Sequence, residues 1–107
     1  MKANQESETE RLPMEFLEAV SDTLRILAHP CRLKIAETLQ RQKESPVHEI
    51  VAEVGLAQAT TSQHLNAMRR AGLIRAERRG REVWYSLADP SAATILDCIR
   101  KKRSNHK

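Results

Sequence analysis

Aromatic side chains are nearly missing from this chain: Phe16, Trp84 and Tyr85 are the whole supply, 3% of 107 residues. Any core must therefore be aliphatic, assembled from Leu, Ile, Val, Ala and Met. Glycine is scarce, and the three present, Gly55, Gly72 and Gly80, stand too far apart for a phosphate-cradling loop. Two cysteines, Cys31 and Cys98, cannot make a disulfide framework. No apolar run approaches the roughly 20 residues of a membrane span. The start of the chain is acidic and polar, unlike a secretory signal or an Arg-rich transit peptide, so the cytoplasm is the expected location. Paired carboxylates in an apolar setting and a nucleophile–base–orienter trio are also lacking, which argues against an enzyme. The length allows one domain with a modest core, of a size that often recruits a partner subunit to finish burying its apolar surface.

What the chain does have is charge, unevenly distributed. The net charge is +4. Within the first 22 residues, however, Lys2 and Arg11 face Glu6, Glu8, Glu10, Glu15, Glu18 and Asp22. Between Gln58 and Arg81 the balance reverses, with Arg69, Arg70, Arg75, Arg78, Arg79 and Arg81 against Glu77 alone. A stretch of nearly one sign, with an acidic arm elsewhere, implies a polyanion at one face.

Residues 1–11 are polar, Glu-rich and aperiodic, and are expected to form a flexible arm. A helix is predicted from Pro13, with Phe16, Val20, Leu24 and Leu27 on one stripe, Leu12 and Leu17 widening it, and a stop at Ala28-His29-Pro30. Pro30 opens a second helix with Leu33, Ile35, Ala36 and Leu39 inward, and Gln40 to Ser45 forms a polar loop. Ser45 is read as the cap of a short third helix, with Pro46 in its first position and Val47, Ile50, Val51 and Val54 apolar. Gly55 ends that helix, and Leu56 is expected to fill the corner.

A fourth helix begins near Gln58, with Leu65 and Met68 as its main apolar positions. Its opening, Gln58-Ala59-Thr60-Thr61-Ser62-Gln63, is uncharged yet dense in hydrogen-bonding groups. Propensity would not choose two threonines and a serine there. Short hydroxyls and amides on a helix N-terminus can reach phosphates and base edges, with capping of the helix by Thr60 or Ser62 as the less favoured alternative. Arg69 and Arg70 suit the negative end of the helix dipole. After Gly72, Leu73 to Arg79 and Glu82 to Leu87 read as two strands around a Gly80-Arg81 turn, with Arg78, Arg79 and Arg81 repelling one another at the tip. Asp89-Pro90-Ser91 opens a last helix with Ala92, Ile95, Leu96 and Ile99 apolar, and residues 104–107 are expected to fray as a tail. The fold class is thus mostly α with a two-stranded β-hairpin (α+β): four helices, hairpin, fifth helix, the order of a winged helix-turn-helix spanning residues 12–103. Such a module places a helix in a DNA groove and a cationic hairpin beside it. The residues expected to meet DNA are Gln58, Thr60, Thr61, Ser62, Gln63, His64 and Arg69 on the helix, and Arg78, Arg79 and Arg81 on the wing.

With that order, the chain resembles the ArsR/SmtB family of small bacterial repressors. Leu27-Ala28-His29-Pro30-Cys31-Arg32-Leu33-Lys34-Ile35 is similar to the family's LAHPxRLxI junction. Leu56 to Leu65 is similar to its recognition helix, LSQSxxSxHL. Ala71-Gly72-Leu73-Ile74, Arg79-Gly80-Arg81 and Tyr85-Ser86-Leu87 are similar to its wing. The resemblance covers roughly residues 16–100. It implies a homodimer joined through the first and last helices, binding a pseudo-palindromic double-stranded DNA operator and repressing transcription until a signal releases it. It places Gln58, Thr60, Ser62 and Gln63 at DNA-contacting positions and Arg79 and Arg81 at the wing tip. Ala59 departs from the usual serine, which removes one hydrogen bond and alters operator preference.

Many relatives sense metals, but this chain lacks the ligands for the family's two best-known sites. Ser45 to Val51 has no cysteine where one site needs thiolates, and the last helix offers Lys102 and Asn105 where the other needs ligands. No metal and no cofactor are therefore expected. For Cys31 and Cys98 the favoured reading is inert, largely buried thiol. A redox or thiol switch is the functional alternative, since Cys31 starts a helix beside Arg32, and a soft-metal or arsenite site with His29 is a third. His64 is read as DNA-facing or as a structural hydrogen-bonder. The rival to a repressor is a winged-helix module that uses the same surface for protein contacts without sequence-specific DNA binding.

Overall fold

All four prolines stand at helix starts, where a missing N–H costs nothing and a fixed φ helps. The computed structural model describes residues 10–106, so most of the expected acidic arm lies outside the described residues. Helix α1 (Met14–Leu27) follows Pro13, and α2 (Pro30–Gln42) follows His29, whose Nδ1 accepts the Cys31 N–H at 3.1 Å. Strand β1 (Ser45–Pro46) leads into α3 (Val47–Val54), and α4 (Gln58–Arg70) comes next. Strands β2 (Ile74–Arg79) and β3 (Glu82–Leu87) form the hairpin, and α5 (Pro90–His106) closes the chain. The carboxylate of Asp89 accepts the Ser91 N–H at 2.9 Å, fixing the start of α5.

The sheet has three strands rather than two, in the antiparallel order β1-β3-β2. Ser45 is therefore not the cap of α3. It pairs with Tyr85 while Pro46, pairing with Trp84, takes the cap position. Both residues are buried, and they cover the free edge of β3 at Trp84 and Tyr85. Helix α2 also runs three residues into the expected loop, through Gln42, and is capped by Lys43, which adopts φ 71°. At the hairpin, Arg79 pairs with Glu82, so Gly80 and Arg81 are the turn. Gly80 has φ 63° and Arg81 is not among the residues with positive φ, the pattern of a type II′ turn that needs glycine first.

Ile35, Leu39, Ile50, Leu65, Met68, Leu73 and Ile74 are fully buried and hold α2, α3, α4 and the sheet together. Leu27 brings the end of α1 onto this core, and Leu96 the first half of α5. Ile26 packs against it as well, but the outer apolar face of α1 does not join it. Phe16 is 52% exposed and Leu24 47%, with Leu12 and Leu17 also open, although their spacing reads as a core stripe. Leu56 is likewise exposed instead of filling its corner. Helix α5 continues through Ser104 and Asn105, where a frayed tail was expected. No helix among the described residues is long and apolar enough to cross a membrane.

Candidate nucleic-acid interface

Gly55 sets the geometry of the turn before α4. Its φ of 79° is left-handed, and its N–H bonds to the Val51 carbonyl at 2.9 Å, so the chain reverses directly into Leu56-Ala57 and α4. Helix α4 is anchored by Thr61, Leu65 and Met68, all buried and spaced i, i+4, i+7. The opposite ridge carries Ala59, Gln63, Asn66 and Arg70, all exposed. Gln58 and Thr60 are exposed at the first turn, Ser62 is half-buried on one flank, and Arg69 is exposed. The helix thus presents a polar surface dominated by amides, with its two arginines confined to the last turn.

Thr61 does not belong to that surface. Its side chain is fully buried and its hydroxyl donates to the Ala57 carbonyl at 3.0 Å. The residue is a core threonine whose polar group is satisfied within the helix. Its spacing to Leu65 and Met68 carried this signal. Asn66 and Arg70, three and seven residues after Gln63, share its exposed ridge and were passed over in the sequence reading, and Arg75 on β2 is a further exposed cation.

His64 turns toward the body of the protein. Its Nδ1 accepts the Arg32 Nε–H at 3.1 Å, and its ring lies 4.5 Å from that of His29. Burial, then the nearby His29 and Arg32, push its pKa below the ordinary 6.5, so the neutral imidazole is favoured.

The wing arginines are not equivalent. Arg79 makes a two-pronged pair with Glu44 at 2.7 and 3.2 Å, bonds Glu77 at 2.9 Å, and lies 4.9 Å over the Trp84 ring. These hydrogen bonds hold its pKa above the ordinary value and draw the Glu44 carboxyl below its own. Among the described residues, Arg78 makes only a long contact, donating to the Gly80 carbonyl at 3.4 Å. Arg81 is exposed and joins no ion pair among the described residues. The tip thus offers Arg78 and Arg81 freely, while Arg79 is already held by two carboxylates rather than repelling its neighbours.

Both cysteines are free. Cys98 is exposed on α5, against the expectation of a buried thiol. Cys31 is half-buried and meets His29 and His64, with one donor atom from each residue lying within 4.8 Å of the others. Cys98 is not part of that group.

Residues 29–76 match the model of the family described as "Bacterial regulatory protein, arsR family". The chain is 43% identical to the HTH-type transcriptional repressor SmtB of Mycobacterium tuberculosis over 81% of its own length and 64% of that protein's, so it spans less than two thirds of this relative. It is 38% identical to the transcriptional repressor PagR of Bacillus anthracis, over 78% of this chain and 83% of PagR. The crystal structure of PagR superposes with a TM-score of 0.74 at 34% identity, covering 81% of this chain and 99% of the other. The solution structure of a homodimeric winged helix-turn-helix DNA-binding domain from Mycobacterium bovis superposes with a TM-score of 0.75 at 26% identity, covering 92% of each.

Proposed function

The chain belongs to the ArsR family of bacterial regulatory proteins, and from that premise we propose that it is a homodimeric transcriptional repressor that binds a pseudo-palindromic DNA operator in the cytoplasm and releases it on a chemical signal. The observation that carries this reading is the division of α4 into a buried face, Thr61-Leu65-Met68, and an exposed polar ridge beside a wing with free Arg78 and Arg81. An α-helix fits the major groove, where amide side chains such as Gln63 and Asn66 pair with an adenine edge and arginine pairs with guanine. Arg78 and Arg81 supply sequence-independent attraction to phosphates.

The open apolar face of α1 supports the dimer. Leu12, Phe16, Leu17 and Leu24 stay exposed in the single chain, as does Ile99 on α5. Burying a side chain of this kind is worth about 1.5–3 kcal/mol, which gives a second copy of the chain reason to cover the set. Two α4 helices related by a twofold axis would read half-sites about one DNA turn apart, roughly 34–36 Å.

A binding titration with the chain's own upstream region, beside a scrambled duplex of equal length, tests the reading. Preference for the upstream fragment by about a thousandfold or more is expected at physiological salt. Equal affinity for both duplexes would leave only a cationic protein on a polyanion.

A further inference from the structure

We propose that His29, Cys31 and His64 form a three-ligand site for one transition-metal ion of the zinc kind, tying the junction of α1 and α2 to the recognition helix. One donor atom from each residue falls within 4.8 Å of the others, and all three residues are half-buried, neither flooded by solvent nor closed to it. Two imidazoles and a thiolate are the donor set that zinc and its softer neighbours accept, and three protein ligands leave a fourth position for water. Zinc bonds of roughly 2.0–2.3 Å in tetrahedral geometry set donor atoms about 3.5 Å apart. The donor atoms would therefore have to close by up to roughly an ångström on binding.

The hydrogen bonds at the site determine what binding changes. His29 Nδ1 accepts the Cys31 N–H and His64 Nδ1 accepts the Arg32 Nε–H, each at 3.1 Å. A neutral imidazole that gives a lone pair to a metal keeps its proton on the other nitrogen. Ligation through Nδ1 uses the lone pair that now accepts. Ligation through Nε2 moves the proton to Nδ1, where it would face another donor. Either way, both bonds break: α2 loses its side-chain cap, and Arg32 lets go of α4. The Cys31 thiol releases its proton to solvent, and the thiolate offsets one of the ion's two charges beside the Arg32 guanidinium.

His29 lies between α1, whose apolar face is open, and α2, while His64 follows Gln63 on α4. An ion that shortens this span shifts the reading helix relative to the helix that would meet the partner subunit. DNA affinity should fall, and by linkage DNA should weaken metal binding by the same factor. This consequence rests on the repressor reading, whereas the site itself does not.

The test is a titration of the reduced, chelator-treated full chain with Co²⁺, followed by displacement with Zn²⁺. Expected are one ion per chain, visible bands of tetrahedral intensity and a thiolate-to-cobalt band in the near ultraviolet. Cys31→Ser should abolish the thiolate band, and Cys31→Ser and His64→Gln should each weaken Zn²⁺ binding at least tenfold. Cys98→Ser should change nothing. A thiolate band that survives in Cys31→Ser or disappears in Cys98→Ser overturns the site, as does unchanged affinity in His64→Gln. In a separate arm, saturating Zn²⁺ should weaken binding to the upstream fragment at least fivefold in the parent chain and not in Cys31→Ser. Unchanged DNA affinity in the parent, with the cobalt signal intact, overturns the coupling and leaves the site. Absence of any DNA binding refutes the repressor reading instead.

Discussion

Arg79 grips Glu44 with both prongs of its guanidinium, at 2.7 and 3.2 Å, across the 35 residues that separate them. Arg81, two positions further on, is exposed and free of ion pairs among the described residues. A phosphate can bind Arg81 without displacing anything, but must compete with two carboxylates for Arg79. Arg81→Ala is therefore expected to lower the log–log salt slope of DNA binding by about one and to weaken all sequences alike. Arg79→Ala should change the slope less, and Glu44→Gln should raise affinity for any duplex. Salt titrations on operator and scrambled DNA check all three, and equal slopes for Arg79→Ala and Arg81→Ala would contradict the ranking.

Gln63 and Thr61 stand two residues apart on opposite sides of α4. Gln63→Ala should lower affinity by about 1–3 kcal/mol at the preferred base and shift sequence preference, with little effect on folding. Thr61→Val should leave sequence preference alone. It removes the hydroxyl donated to the Ala57 carbonyl, but the Thr61 N–H still bonds that carbonyl at 3.0 Å, so the expected loss of stability is about 1 kcal/mol or less. Urea melts beside a selection on randomised half-sites separate the two effects.

Helices and the wing were legible because their signals are local: apolar spacing, prolines at helix starts and glycine at turns. Thr61 was misread because hydroxyl groups suggested an interface, when its spacing to Leu65 and Met68 already assigned it to the core. Strand β1 left no trace, since two residues, one of them proline, have no periodicity. Contacts between distant segments were out of reach for a different reason. The Glu44–Arg79 pair and the meeting of Cys31 with His64 depend on how α2, α4 and the wing pack, and nothing near either residue announces the partner. The stripe on α1 was recognised correctly as apolar, but periodicity cannot say whether a face is covered by its own chain or by another.

That face yields its own test. Phe16 and Leu24 are about half exposed and lie on one side of α1. Placing a carboxylate there should cost the single chain little and a dimer much, because an unpaired charge would be trapped between subunits. Phe16→Glu and Leu24→Glu are expected to sediment as monomers at concentrations where the parent is dimeric, with unchanged helical content. Operator affinity should drop with them. Variants that remain dimeric would place the interface elsewhere.

Acid stability follows from Glu37, which lies within a cationic group on α2 and α5. Arg41 bonds it at 3.0 Å, Lys34 approaches to 3.4 Å and Arg100 to 4.0 Å. The Arg41 hydrogen bond is the main cause of a carboxyl pKa below the ordinary 4.5. A carboxyl that ionises more readily in the folded state stabilises that state above its unfolded pKa, and the gain is lost as pH falls through the folded value. Stability should thus decline below about pH 4.5, and Glu37→Gln should flatten that limb while leaving the net positive chain slightly weaker at neutral pH. Because the pair is partly solvated, the loss at pH 7 should not exceed about 1 kcal/mol. Denaturant melts from pH 7 to 3 on both proteins measure it. A variant with the same acid limb as the parent would assign the titration to other carboxylates, Glu44 beside Arg79 first among them, since its pKa is lowered in the same direction.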